Sequence, residues 1–242
     1  MVRYAFALRG QAKDQGHEIR IKEQPVEIIK AKEQLSEHYM CVRTALPRPT
    51  KTVPVLVPLD SGKPIPESVD ITKHLAESYP SMIPDSCGSE IKQLIYELHG
   101  ISFFAFTFAG KPQGIQATKA RLEGLQKEPI SDQYRAAIDI KLQRLKEKKF
   151  AVLTPQASKK NEEYAAQLMT RLESLLNAWQ TPWLFGLERP SALDAHLLVF
   201  IARMQDVGRG DVIPEALKKY GEKAMNGPEW HEVMQGRHTS PL

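Results

Sequence analysis

Residues 51–68 (KTVPVLVPLDSGKPIPES) carry the arrangement in this chain that most suggests a binding site. Glu67 offers a negative charge for an ammonium group, and Ser68 stands directly before a predicted helix at residues 69–78. The first turn of a helix presents free backbone N–H groups and the positive end of the helix dipole, which together bind carboxylates. A carboxylate and an anion site side by side suit the two charges of an amino-acid head group.

The same stretch predicts a β-hairpin that leads into this helix. Residues 55–57 form a short apolar strand, residues 60–62 (DSG) a turn, and residues 63–65 the start of the return strand. Pro54 cannot donate a hydrogen bond to the ladder. A cis peptide bond between Val53 and Pro54 would turn the backbone N–H and C=O of Val53 outward, where they could pair with an extended ligand.

This pattern resembles the glutathione site in the thioredoxin-like domain of cytosolic glutathione S-transferases. In that family the valine backbone pairs with the cysteinyl unit of glutathione, the proline is cis, and a Glu-Ser pair holds the γ-glutamyl group. The resemblance assigns these roles to Val53, Pro54, Glu67 and Ser68. Lys51 stands where insect-type members place a basic residue, and it would reach the glycine carboxylate. The alternative is an ordinary proline-bounded hairpin with a solvated Glu67 and a capping Ser68.

The resemblance implies an α/β thioredoxin-like N-terminal domain followed by an all-α C-terminal domain, the glutathione transferase fold. We predict the first domain at residues 1–80, a linker at 81–89 and the helical domain at 90–242. Two prolines and a glycine in residues 79–89 (YPSMIPDSCGS) mark the boundary. Beyond it, the hydrophobic periodicity is almost entirely helical.

The second domain contains several predicted helices, at residues 91–108, 110–128, 131–150 and 162–179, with a loop around Pro155. Phe103 and Phe106 lie three residues apart on one face of the helix predicted at 91–108. By resemblance they line a pocket for a hydrophobic electrophile, although such an aromatic stripe is also typical of core packing.

A capping box, Ser191-x-x-Asp194, opens a predicted buried helix. The resemblance makes this box a folding element, so we assign no catalytic duty to Asp194 or His196. A last helix follows Gly227 and Pro228, again as the family has it.

Residues 1–10 (MVRYAFALRG) leave two structures open. Apolar side chains alternate as in a strand, but the spacing V-R-x₆-G also resembles the family's first helix, which we favour. In that case the first strand and the thiol-activating residue would precede the chain. As a strand, it would make Tyr4 the nearest hydroxyl, in a position more typical of a core tyrosine. The catalytic residue therefore stays unknown in both interpretations.

Two further elements are predicted between this segment and the hairpin. Residues 18–26 (EIRIKEQPV) alternate and are predicted to form a strand whose Pro25 confines it to an edge. Residues 27–39 are predicted to be helical.

The bulk composition excludes several classes of partner. The 242 residues include 33 basic and 29 acidic side chains, a net charge of +4, and no arginine-rich stripe, which argues against nucleic acid. No signal peptide or membrane-spanning run is present, so we expect no membrane partner and a cytoplasmic location. Cys41 and Cys87 lack metal-site spacing and suggest free thiols. The pattern His231, Glu232, His238 is too weak to predict a metal.

The resemblance implies an enzyme that adds the thiol of glutathione, as substrate or cofactor, to a small hydrophobic electrophile. Two alternatives stay open: a glutathione-dependent cis–trans isomerase of a conjugated alkene, and a transferase-like binding protein without chemistry. The presence of the Glu67–Ser68 pair favours glutathione-dependent chemistry over the binding protein. The family also implies a homodimer.

Overall fold

The computed structural model describes residues 1–28, 31–42, 54–108, 113–179 and 181–239. Its α-helices are α1 (Val2–Ala7), α2 (Glu37–Val42), α3 (Ser68–Ser78), α4 (Gly88–Gly100), α5 (Phe103–Phe108), α6 (Gln113–Leu125), α7 (Asp132–Arg144), α8 (Pro155–Asn177), α9 (Ala192–Asp206), α10 (Glu215–Met225) and α11 (Pro228–Met234). The short strands β1 (Val55–Leu56) and β2 (Ile65–Pro66) pair antiparallel. A π-helical segment, Leu145–Phe150, follows α7.

Contacts divide the chain into two compact units. Unit 1 comprises Met1–Ile21, Ser68–Ser102 and Lys160–Leu242, and unit 2 comprises Lys22–Glu67 and Phe103–Lys159. Each unit combines segments from both predicted domains, and the predicted linker at residues 81–89 lies inside unit 1. The sequential division into two domains therefore stays a prediction.

Unit 1 is built around α9, which is buried on nearly every side. A helix that is apolar all round belongs in a core, and α1, α4 and α10 pack against this one. Leu197, Phe200 and Ile201 are completely buried. The predicted capping box is confirmed: Ser191 accepts from the backbone N–H of Asp194, and the Asp194 carboxylate accepts from that of Ser191 at 2.7 Å.

The Asp194 carboxylate also holds neighbouring parts of unit 1. It is fully buried and accepts from the backbone N–H of Leu184 at 3.1 Å and from the Tyr220 hydroxyl. Burial raises the pKa of Tyr220 well above its ordinary value, so the phenol keeps its proton and acts as a donor. A buried carboxylate is tolerated only with such partners.

Unit 2 has a separate hydrophobic core. Its buried members are Leu35, Met40, Ile115, Leu122, Leu125, Tyr134, Ala137, Ile138 and Leu145. They come from α2, α6, α7 and the turns beside them, and the Tyr134 hydroxyl donates to the backbone oxygen of Leu35. The phenol is thus paired inside an apolar cluster, as a buried hydroxyl requires.

The N-terminal segment is helical, the structure that we favoured. Tyr4 and Ala5 of α1 are buried, and the Tyr4 ring meets Trp230 edge-on at 5.0 Å between centroids. Gly10 follows with φ +75°, and a side chain there would collide with the Ser81 hydroxyl, which would lie 2.5 Å from an added Cβ. Ser81 in turn donates to the Arg9 carbonyl at 3.0 Å.

The strand prediction for residues 18–26 is wrong. Ile19 and Ile21 are half-buried while their neighbours are exposed, so the alternation correctly indicates one-sided burial at these two residues. The segment nevertheless pairs with no strand in the described residues. The backbone N–H of Ile19 instead donates to the Tyr79 hydroxyl at 2.9 Å. The helix predicted at 27–39 is also too long, since the described residues of that range form the 3₁₀ turn Glu33–Leu35 and the start of α2 and no other helix.

The helix predicted at residues 91–108 is two helices, α4 and α5. Asn161 stabilises the end of α4, because its side chain accepts from the Ser102 N–H at 2.7 Å and donates to the Ser102 carbonyl at 3.3 Å. The loop predicted around Pro155 is also wrong, since Pro155 is the first residue of α8. Proline fits that position because the first N–H of a helix has no helical acceptor.

Two further findings concern the described residues alone. None of their helices is long and apolar enough to cross a lipid bilayer. Their His, Cys, Asp and Glu side chains form no group of three or more that could hold a metal ion.

The Asp194 network predicts a graded loss of stability on substitution. Asp194→Ala leaves several buried donors unpaired and should lower the free energy of unfolding by about 3 kcal/mol or more, and Tyr220→Phe, which removes one donor, by about 1.5 kcal/mol. Asp85→Ala, at an exposed aspartate, should change it by less than about 0.5 kcal/mol. Urea unfolding at pH 7 measures all three, and equal losses for Asp194→Ala and Asp85→Ala would contradict the network.

Candidate functional site

The β1–β2 hairpin brings two predicted site residues, Pro54 and Glu67, to one end of its ladder. Val55 pairs with Pro66 and Leu56 with Ile65, and continuing this register by one residue sets Pro54 opposite Glu67. Both residues are half-buried. Local turn chemistry fixes the register, since Gly62 has φ +61° and its N–H donates to the Pro58 carbonyl at 2.9 Å.

Glu67 has a strained backbone. Its φ is +68°, in the left-handed region, which costs a residue with a Cβ about 1–2 kcal/mol. Such strain persists only where the surroundings fix it, and it is concentrated at functional sites. Lys32, Phe185 and Gln235 also have positive φ, so what distinguishes Glu67 is this backbone together with a carboxylate directly before α3.

Ser68 is the first residue of α3, one position earlier than the sequence predicts. Its hydroxyl lies 3.9 Å from the Met1 sulfur, a weak contact. Ile71, Thr72 and Leu75 are the buried side chains of α3. The N–H groups in the first turn of a helix lack helical acceptors, and the Ser68 hydroxyl lies at this end of α3.

Lys51 and Val53 lie outside the described residues, and so does the peptide bond between Val53 and Pro54. The roles of these two residues towards glutathione stay predictions.

The predicted pocket residues Phe103 and Phe106 both belong to α5, in unit 2. Phe106 is only 5% exposed, whereas Phe103 is half-buried. Beside them, Phe104 and Phe108 stack at 4.6 Å between centroids. Phe103 therefore keeps surface that a ligand could contact, while Phe106 contributes mainly to packing.

Tyr4 is a core residue and a poor acid–base group. It is 2% exposed, and burial, with help from the charges of Glu229 and Asp194, raises the pKa of its hydroxyl far above the ordinary value. A hydroxyl that activates a thiol must reach that thiol, which a buried phenol packed on Trp230 cannot do.

The structure reveals a polar array that the sequence does not predict. His196, on α9, is completely buried; its Nε2 lies 2.9 Å from Oγ1 of Thr72 on α3, and its Nδ1 lies 2.7 Å from Nε2 of His99 on α4. Burial lowers the pKa of His196 well below 6.5 and that of His99 to about 4. The only sequence signal is a polar His196 inside an apolar run, which does not identify its partners.

An open cleft lies elsewhere in unit 1 and contains none of the predicted site residues. It has a volume of about 260 Å³, and its apolar lining includes Ala202, Met225, Trp230 and Met234. Asp206 on its rim accepts from the Thr239 N–H at 2.6 Å, which ties the segment after α11 to the end of α9. The lining also carries polar and charged side chains, among them Asp206 and Arg237.

The two histidines predict a loss of stability in acid. Because each pKa is lower in the folded chain, the unfolded chain binds more protons, and the free energy of unfolding falls as pH drops below about 6.5. His99 should contribute about 2 kcal/mol of this loss between pH 7.5 and 5. Urea unfolding at both pH values should show a smaller difference for His99→Gln than for wild type. The exposed His231 supplies the control His231→Gln, and an equal pH dependence in all three proteins would contradict the assignment.

No family model matches this chain, and no curated protein matches it by sequence. Its fold does match solved structures. Gtt2 from Saccharomyces cerevisiae is 13% identical with a TM-score of 0.59, and the alignment covers 96% of this chain and 93% of that one. A glutathione S-transferase domain-containing protein from Marinobacter aquaeolei VT8 is 18% identical with a TM-score of 0.60, covering 95% and 93%. At these identities the likeness concerns the fold: the chain has the fold of glutathione S-transferase domain proteins.

Proposed function

We propose that this protein binds glutathione through Glu67 and Ser68 and adds its thiol to a small hydrophobic electrophile. The observation that carries the proposal is the strained Glu67, with φ +68°, directly before the first residue of α3. A carboxylate at this position suits the ammonium of the γ-glutamyl group, and the start of α3 suits its carboxylate. The fold shared with glutathione S-transferase domain proteins supports the same assignment.

The other contacts of the tripeptide are assigned by resemblance. Val53 would pair its backbone with the cysteinyl unit beside a cis Pro54, and Lys51 would meet the glycine carboxylate. Phe103 would contact the electrophile, with Phe106 packed beneath it. A thioredoxin-like first domain, a homodimer and a cytoplasmic location complete the proposal.

The thiol of glutathione must become a thiolate to act as a nucleophile. Tyr4 does not supply the stabilising hydroxyl, because it is buried and its pKa is raised. Enzymatic addition would consume thiol in proportion to product, whereas isomerisation of a conjugated alkene would leave the amount of glutathione unchanged. Thiol titration during turnover separates the two reactions.

Calorimetric titration with glutathione tests the proposed head-group site. We expect saturable binding to wild type and a loss of about tenfold or more in affinity for Ser68→Ala and Glu67→Gln, since each removes a charge-assisted hydrogen bond. The matched control is Glu77→Gln, which changes the same charge on an exposed side chain near the end of α3. Its affinity should equal that of wild type.

A truncated ligand shows which part of glutathione accounts for the lost affinity. Cysteinylglycine lacks the γ-glutamyl group, so any affinity it has should be the same in wild type, Ser68→Ala and Glu67→Gln. An absence of heat with glutathione, or equal binding to all variants, would refute the proposed function.

The strain at Glu67 gives a separate stability test. Glycine adopts positive φ without a steric cost, so Glu67→Gly should leave the free energy of unfolding unchanged or raise it by up to about 1 kcal/mol, while glutathione affinity is lost. Glu222→Gly, at an exposed glutamate in α10, should cost about 1 kcal/mol. Equal destabilisation by both changes in urea unfolding would show that the backbone of Glu67 is not strained.

A further inference from the structure

Three helices of unit 1 are joined by the array of Thr72, His196 and His99. Thr72 is 1% exposed and His196 is completely buried, while His99 is only partly buried. The two hydrogen bonds measure 2.9 Å and 2.7 Å, and the imidazole centroids are 4.9 Å apart. A residue on α3, one on α9 and one on α4 are therefore linked in series.

The chemistry of neutral imidazole restricts how protons occupy this array. Burial lowers the pKa of both rings, so both are neutral at physiological pH. A neutral imidazole has one N–H donor and one acceptor nitrogen. The two hydrogen bonds of His196 must therefore run in the same direction, either from Thr72 towards His99 or from His99 towards Thr72.

The Thr72 hydroxyl selects one direction. Within the described part of the chain its only hydrogen-bond partner is Nε2 of His196. If His196 donated to Thr72, the hydroxyl proton would be left without an acceptor at a buried position, which costs free energy. Thr72 therefore donates to Nε2 of His196, and Nδ1–H of His196 donates to Nε2 of His99. Both rings then carry their proton on Nδ1, whereas the neutral tautomer that free histidine favours in water carries it on Nε2.

We propose that His196 and His99 are positioning residues that hold the first turns of α3 through Thr72, and thereby place Ser68 for its ligand. Thr72 lies four residues after Ser68, one helical turn along α3. The remaining buried side chains of α3 near this end are apolar, Ile71 and Leu75, and hydrophobic contact is non-directional. The hydrogen bond to His196 is directional, so it fixes the rotation of α3 about its axis. The ligand part of this inference rests on the proposed glutathione site.

The proton positions are tested first, by two-bond ¹H–¹⁵N correlation NMR of the histidine rings at pH 7.5. His99→Gln and His196→Gln spectra assign the signals. We expect each of the two rings to be a single neutral tautomer with its proton on Nδ1. Protons on Nε2 of both rings would reverse both hydrogen bonds and overturn the assigned direction. Different tautomers in the two rings would place two protons or two lone pairs between Nδ1 of His196 and Nε2 of His99, and would overturn the array.

The positioning role is tested with a matched pair, Thr72→Val and Thr72→Ser. Valine keeps the shape and removes the hydroxyl, whereas serine keeps the hydroxyl. Amide hydrogen exchange in the ligand-free protein should be faster from Val69 to Leu75 in Thr72→Val alone, with exchange in α10 unchanged. Glutathione affinity should fall two- to thirtyfold in Thr72→Val and stay near the wild-type value in Thr72→Ser.

The outcomes separate this inference from the proposed function. If wild type does not bind glutathione, the proposed function fails, and the exchange rates of α3 still decide whether the array holds the helix. Unchanged exchange in Thr72→Val overturns the positioning role. Faster exchange with unchanged glutathione affinity overturns the link to Ser68 and leaves the proposed function intact.

Discussion

The burial of α9 on nearly every side is the constraint on which unit 1 depends, because this helix brings polar groups into an apolar core. Asp194 and His196 are both fully buried, and an unpaired polar group in such a place costs about 1–3 kcal/mol. Each therefore requires partners from other segments. Asp194 takes them from Leu184, Ser191 and Tyr220, and His196 takes them from Thr72 and His99. The partners that satisfy these two side chains therefore tie α3, α4 and α10 to α9.

Asp194 and His196 respond to burial in different ways. Burial raises the pKa of Asp194 while the hydrogen bonds from Ser191 and Tyr220 lower it, so the carboxylate depends on its donors. His196 loses its charge instead, and a neutral ring needs one acceptor and one donor to be satisfied. A single substitution among the donors of Asp194 thus removes a hydrogen bond that opposes the rise of its pKa. A substitution in the array of Thr72, His196 and His99 instead alters the arrangement of protons on neutral rings.

The sequence predicted those parts of the fold that local interactions determine. The Ser191–Asp194 box, the turn at Gly62 and the start of α3 depend on residues a few positions apart. Two of the errors involve segments whose structure depends on distant partners. The alternation at residues 18–26 indicates one buried side but cannot say whether a strand lies beside it. The break after α4 depends on Asn161, 59 positions from Ser102.

The candidate site divides in the same way. The types and spacing of Glu67 and Ser68 were readable, and so was the hairpin that precedes them. The array was not, since His196 is 124 positions from Thr72 and 97 from His99. Helical periodicity identifies a buried face but not the residue that it meets.

The backbone of Glu67 connects stability with function. The chain turns there from β2 into α3 through a left-handed residue, and glycine would allow this turn at lower cost. What glutamate adds is a carboxylate whose backbone is held in one conformation. Because the backbone is held in one conformation, the carboxylate extends from a defined position beside the start of α3, which lowers the entropy cost of binding. The strain that lowers stability at this residue is therefore the same feature that would prepare it to bind an amino-acid head group.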